Sequence, residues 1–235
     1  MAVELKDILK EIKTRGLFAS IKRTRYDYDL DKAMAVVMQI GRARTPRFVI
    51  DDANRFAYEN FVKWVMGDPS MRALDPVTKQ PTQGRLTAGI YVAGGTGTGK
   101  SWLLEIMSAL CLIDEPRITF GDNSRPLRWT NYRADTICDD YTAKGDIARY
   151  KTMQVIGIQD LGSEPPEGMY MGNRLPVLGS IIESRGDRAD QLTLITSNLP
   201  LGNGKLKERY GDRVASRLIQ MCNYFEIRGA DRRRV

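Results

Sequence analysis

Apolar residues along the chain switch between helical and strand-like spacing, and that alternation predicts the layout of the fold. Leu5, Ile8, Leu9 and Ile12 fall at i, i+3, i+4 and i+7, one stripe of an amphipathic helix that Gly16 would end. A second helical stretch covers residues 31–40 and precedes Gly41. A third, marked by Ala57, Phe61, Trp64 and Val65, has Asp51 or Asp52 to cap its start and Gly67 to stop it. Residues 68–85 carry Pro69, Pro76, Pro81 and Gly84 and read as a connecting loop. Beyond it, short β-rich runs at 89–93, 127–131, 155–159, 192–197 and 224–228 alternate with helical patterns. Such alternation predicts an α/β fold: a five-stranded parallel sheet with helices on both faces. The layout divides into a small helical N-terminal region over 1–50, a linker helix and loop over 51–85, and a core over 86–235. Only a handful of residues follow the last strand, so no helical lid is expected.

Composition narrows the function classes. A length of 235 residues at 42% hydrophobic suits one α/β domain with a small accessory region. Lys and Arg number 36 against 29 for Asp and Glu, and the net charge of +7 favours an anionic partner, nucleic acid first. A solvated basic surface accounts for the same excess. Lys22-Arg23-Thr24-Arg25-Tyr26-Asp27-Tyr28 interleaves basic and aromatic residues, types that track phosphate and stack on bases, and is a candidate DNA contact. Cys111, Cys138 and Cys222 are odd in number and widely spaced, a pattern of buried structural thiols in a reducing cytosol. The longest apolar run, 103–113, is broken by Glu105, and charges begin at Glu4. Neither a signal peptide nor a membrane span is expected, and the reading is of a soluble, cytoplasmic protein. The sequence holds no histidine, which excludes Ser-His-Asp hydrolysis and the usual His-containing metal sites.

The chemistry-bearing motif is Gly94-Gly95-Thr96-Gly97-Thr98-Gly99-Lys100-Ser101, the pattern G-x-x-x-x-G-K-[ST] of a phosphate-binding loop. Its glycines let backbone N–H groups turn inward around phosphate oxygens where a Cβ would intrude. A strand, Ile90-Tyr91-Val92-Ala93, enters the loop, and a helix opening at Trp102 leaves it. Lys100 is placed to neutralise the β- and γ-phosphates, and the Ser101 hydroxyl to ligate Mg²⁺ at the positive end of that helix. The expected ligand is therefore a nucleoside triphosphate with Mg²⁺. Val155-Ile156-Gly157-Ile158-Gln159-Asp160 brings Asp160 to a strand end as metal ligand and water-polarising acid, although an Asp there also caps turns. Gln159 stands where efficient P-loop ATPases carry a second acid, which predicts weak Mg²⁺ recruitment and slow hydrolysis. Asn198, after Thr196-Ser197, is placed to orient the attacking water, though Asn favours turns for local reasons. Arg213 and Arg217 lie at i and i+4 on one helix face and repel unless they meet an anion or a carboxylate. A phosphate in a neighbouring subunit would satisfy them; a solvated basic face is the alternative.

From about residue 56 onward, these motifs resemble the AAA+ ATPases of the DnaC helicase-loader and IstB transposition-helper clade. The resemblance rests on Gly89-Ile90-Tyr91-Val92-Ala93-Gly94, Gln159-Asp160-Leu161-Gly162-Ser163-Glu164-Pro165, Thr196-Ser197-Asn198-Leu199 and Tyr210-Gly211-Asp212-Arg213-Val214-Ala215-Ser216-Arg217-Leu218. It implies a P-loop AAA+ core with a truncated lid, a homo-oligomeric ring or spiral, and Arg217 as an arginine finger acting in trans with Arg213 beside it. The family's Asp-Asp-Leu-Gly motif puts Asp160 in the water-polarising slot and Gln159 in that of the metal-ligand acid. Asn198 corresponds to the sensor, and Arg233 to a terminal nucleotide-contacting arginine, with Asp231 where that motif has Ser. The implied function is ATP-dependent loading of a replicative DNA helicase on single-stranded DNA, with the helicase docked on the N-terminal region. The alternatives are an IstB-like transposition helper, and an ATP-binding assembly switch with negligible hydrolysis.

Overall fold

The computed structural model of the protein describes residues 6–7 and 21–232. The first predicted helix and Arg233 fall outside them, apart from residues 6 and 7. A seven-stranded sheet runs through the molecule in the order β3-β2-β12-β4-β11-β8-β7. Its strands are β2 (Arg72–Leu74), β3 (Pro81–Gln83), β4 (Gly89–Gly94), β7 (Asn131–Arg133), β8 (Val155–Leu161), β11 (Leu192–Ser197) and β12 (Cys222–Ile227). Five strands, β12 to β7 along that order, pair in parallel, whereas β2 and β3 add antiparallel at one edge.

The sheet is thus mixed and larger than the sequence pattern predicts, because residues 68–85 are a hairpin and not a loop. Pro81 opens β3 at the outer edge, where its missing N–H leaves no ladder bond unmade. The Asp75 carboxylate closes the turn by accepting from the N–H groups of Val77 and Thr78. The strand predicted at 127–131 begins only at Asn131; Leu127 and Trp129 are buried in the core ahead of it.

Alternation along the central strands feeds two separate cores. Ile90 and Val92 of β4, with Leu192 and Leu194 of β11, face one side; Tyr91, Ala93 and Ile195 face the other. The first side is covered by α1 (Leu30–Arg44), α2 (Arg55–Val65) and α3 (Lys100–Asp114). The second is covered by α4 (Ala134–Lys144), α5 (Ala148–Thr152), α6 (Val177–Gly186) and α7 (Gly204–Met221). Two smaller sheets complete the described fold: β1 (Ile21–Arg23) with β5 (Arg117–Phe120) and β6 (Asn123–Pro126), and the β9 (Gly168–Tyr170)–β10 (Asn173–Leu175) pair.

Asp29 caps α1 by accepting from Lys32 N–H at 3.0 Å, and the helix continues through Gly41 to Arg44. Gly41 is therefore no stop. A Cβ there would lie 2.1 Å from the Phe48 ring, so glycine permits the chain to fold back against the helix. Gly67, by contrast, does follow the end of α2, in the left-handed region at φ 67°.

The basic and aromatic stretch 22–28 is not a free stacking platform. Arg23 is half-buried, donates to the Trp64 and Val65 carbonyls at the end of α2, and stands 4.8 Å over the Trp64 ring. The Trp64 carbonyl also accepts from Gly67 N–H at 3.2 Å, so the guanidinium adds to the cap at this helix end. The Tyr26 hydroxyl accepts from Arg117 N–H and that of Tyr28 donates to Asp68, with both rings packed on the core. All three cysteines are buried and unpaired by disulfides. Among the described residues no helix is long and apolar enough to cross a membrane.

Candidate functional site

The phosphate-binding loop leaves the sheet at its centre. β4 ends at Gly94 between β12 and β11, and α3 begins at Lys100. Gly97 and Gly99 have φ of 75° and 96°, conformations that side chains with a Cβ rarely adopt. A Cβ on Gly94 would meet the Ile227 carbonyl at 2.4 Å, so that glycine lets the loop leave close against β12. The Thr98 hydroxyl donates to the Gly95 carbonyl at 3.0 Å and braces the turn. The first turn of α3 then directs N–H groups and the positive end of its dipole toward the loop's concave side.

Lys100 is only 5% exposed; its Nζ donates to the Gly95 carbonyl and to Asn198 Oδ1, each at 2.7 Å. Asn198 follows β11, whose Ser197 pairs with Ala93 of β4, and the parallel register carries it to the loop. On the far side of β11, Asp160 sits at φ 58° near the end of β8, with its N–H donating to Thr196 Oγ1. The Asp160 carboxylate accepts from Arg133 at 3.2 Å, and the same guanidinium forks onto Asp135 at 2.9 Å. Gln159, nearly buried, donates from Nε2 to Glu105 Oε1 at 3.1 Å, and Glu105 is ion-paired with Arg44. Together these groups line a cleft of about 550 Å³ between the loop and the ends of β8 and β11.

A second cavity of about 760 Å³ adjoins the loop. Phe48, Val49, Tyr58 and Trp102 supply its apolar walls, and Trp102 borders both cavities. Phe48 packs edge-on to Tyr58 with ring centroids 5.7 Å apart, and its ring lies 6.3 Å from that of Trp102. The rim is a strap formed by the segment after β12. Arg232 N–H donates to the Gly97 carbonyl at 2.9 Å, and its guanidinium grips Asp51 through two bonds of 2.7 and 2.8 Å. That hydrogen bonding holds the Asp51 carboxyl below its ordinary range.

Of the predicted residues, Thr96, Gly97, Gly99, Lys100, Ser101, Trp102, Asp160 and Asn198 line one cleft, Thr98 lines the adjoining cavity, and Gly94 and Gly95 line neither. Arg213 and Arg217 are elsewhere on the molecule. Arg217 is paired with Asp187 and bonds Gln220 at 3.1 Å, while Arg213 lies 3.5 Å from Glu183. The carboxylates these guanidinium groups require are supplied within the chain, from α6 and the residue after it. Sequence reasoning did not find Arg44, Glu105 and Arg133 in the cleft, nor Phe48, Val49, Tyr58 and Arg232 around the second cavity. Only Glu105 carried a signal, an acid at i+4 from Ser101 in an otherwise apolar run.

The donor set fits a nucleotide with a divalent cation: left-handed glycines at an open helix end, a buried ammonium, a hydroxyl and two carboxylates. No family model matches the chain, and no curated protein matches its sequence. Solved structures do resemble it. A candidate primosome component from Streptococcus pyogenes serotype M3 is similar with a TM-score of 0.53 at 22% identity, over 78% of this chain and 84% of that one. The DnaC helicase loader is similar with a TM-score of 0.50 at 16% identity, over 77% of this chain and 93% of that one. At such identities the likeness speaks for architecture alone, and on that ground the chain has a fold similar to that of the DnaC helicase loader.

Proposed function

We propose that this chain is an ATP-dependent loader of a replicative DNA helicase that binds ATP with Mg²⁺ and single-stranded DNA. The observation that carries the reading is the meeting of Lys100 with Asn198 beneath a glycine-built loop in a DnaC-like fold. In this reading the nucleoside base enters the apolar cavity between Phe48, Tyr58 and Trp102, and the phosphates follow into the loop. Lys100 exchanges its contacts with Gly95 and Asn198 for β- and γ-phosphate oxygens. Ser101 holds the cation, which when bound neutralises charge on the phosphate oxygens. Asp160 and Asn198 hold and orient the attacking water. Arg233, outside the described residues, is the proposed terminal arginine contact to the nucleotide. Arg217 and Arg213 reach a phosphate in a neighbouring copy of a homo-oligomer, exchanging their carboxylate partners for it. The helicase contact belongs to residues 1–50.

A second reading, an ATP-binding assembly switch with slow turnover, is favoured by the state of the two strand-end residues. Gln159 carries no charge, and Asp160 is engaged by Arg133. Steady-state ATP hydrolysis with and without single-stranded DNA, beside a Lys100→Ala control, separates the readings. The loader predicts DNA-stimulated turnover that falls on the order of 10²-fold or more in Lys100→Ala. Tight ATP binding without turnover would leave the switch, and Lys100-independent turnover would discard both.

A further inference from the structure

We propose that Glu105, one turn into α3, supplies the carboxylate on the metal side of the phosphate cleft, in place of the acid that Gln159 does not provide. The inference rests on reading the cleft as a nucleotide–Mg²⁺ site. Ser101 and Glu105 stand at i and i+4 on α3, hence on one helix face, and both line the cleft. Glu105 departs from the otherwise apolar run of this helix and is half-buried instead of projecting into solvent. A carboxylate kept in that position has charge to balance.

The pairing with Gln159 explains why residue 159 is an amide. Its Nε2 donates to Glu105 Oε1 at 3.1 Å, and a carboxylate at 159 would instead set two negative oxygens against each other in a mostly buried place. An acid on the helix and a neutral donor on the strand are complementary; two acids are not. The negative charge has moved from β8 to α3, with Gln159 turned into the group that orients it. The other oxygen, Oε2, faces Arg44, whose side chain is 46% exposed and can turn to solvent or to an anion. A hydrated divalent cation beside Ser101 offers Oε2 the charge Arg44 now supplies, and Mg²⁺ characteristically keeps waters while bound by one or two carboxylates. Asp160, the other carboxylate of the cleft, is engaged by Arg133.

The test is equilibrium binding of a fluorescent ATP analogue to the full chain, in EDTA and in saturating Mg²⁺, for wild type, Glu105→Gln, Gln159→Asp and the double variant. Glu105→Gln should shrink the Mg²⁺-dependent gain in affinity about 10-fold and leave the affinity in EDTA unchanged. Gln159→Asp added to Glu105→Gln should restore most of that gain, whereas Gln159→Asp alone should add none. An undiminished Mg²⁺ gain in Glu105→Gln would overturn the proposal, as would an equal loss in EDTA, which would mark Glu105 as structural. Absence of binding by the wild type in both conditions would instead overturn the nucleotide reading beneath it.

Discussion

Arg185 illustrates how burial at a single residue sets a cost that its neighbours must meet. It is fully buried on α6 and, among the described residues, pairs with no carboxylate; Nε donates to Thr193 Oγ1, and the two Nη groups to the carbonyls of Tyr150, Met153 and Leu192. Burial lowers its pKa to about 10, so the group remains charged at neutral pH. It ties α5, α6 and β11 together. Arg185→Met should cost about 3–5 kcal/mol by stranding those acceptors, read as a lower midpoint of urea unfolding. No sequence pattern announces this role, because an arginine in a helix reads as exposed until its neighbours are known. The same limit applies to Glu105: its spacing from Ser101 was legible, but its bond to Gln159 depends on how α3 lies against β8.

At the scale of elements, periodicity carried well where a strand or helix is buried along its length and poorly where it is short or at an edge. The predicted strand at 192–197 has the bounds of β11, paired on both sides, whereas the hairpin over 72–83 was hidden by its prolines. Gly41 shows why a punctuation residue misleads: its glycine is demanded by the Phe48 ring from outside the helix. Gly41→Ala should overpack that contact and cost about 1–3 kcal/mol by thermal or urea unfolding. It should also weaken binding of the fluorescent ATP analogue, since Phe48 walls the proposed base cavity. Helix α7 is broken at Gly211 (φ 82°, ψ 166°), which turns the segment bearing Arg213 and Arg217 onto α6. Spacing placed both arginines on one face, but that turn decides which carboxylates they meet.

Across the whole molecule, segments far apart in the chain meet beside the glycine-rich loop. Asp51 lies 181 residues before Arg232, and their bidentate pair holds the strap against the loop. The hydrogen bonds from Arg232 depress the Asp51 pKa, so the pair's contribution is fully present above about pH 4 and is lost as the pH falls through the depressed value. Asp51→Asn should therefore lower stability at pH 7 by on the order of 0.5–1 kcal/mol, a modest figure because Asp51 is 44% exposed. Thermal melts of variant and wild type should converge under acid; an unchanged gap would show that the pair is not the cause. The sequence by itself determined the phosphate-binding loop, the alternating α/β order and the residues at the β8 and β11 ends, because these depend on backbone conformation and local spacing. Tertiary structure alone decided the apolar cavity, the pairing of Glu105 with Gln159 and of Asp160 with Arg133, and the separation of the arginines from the cleft. Each of those depends on side chains distant in sequence, brought together by burial of two cores on one sheet, and no local period encodes such meetings.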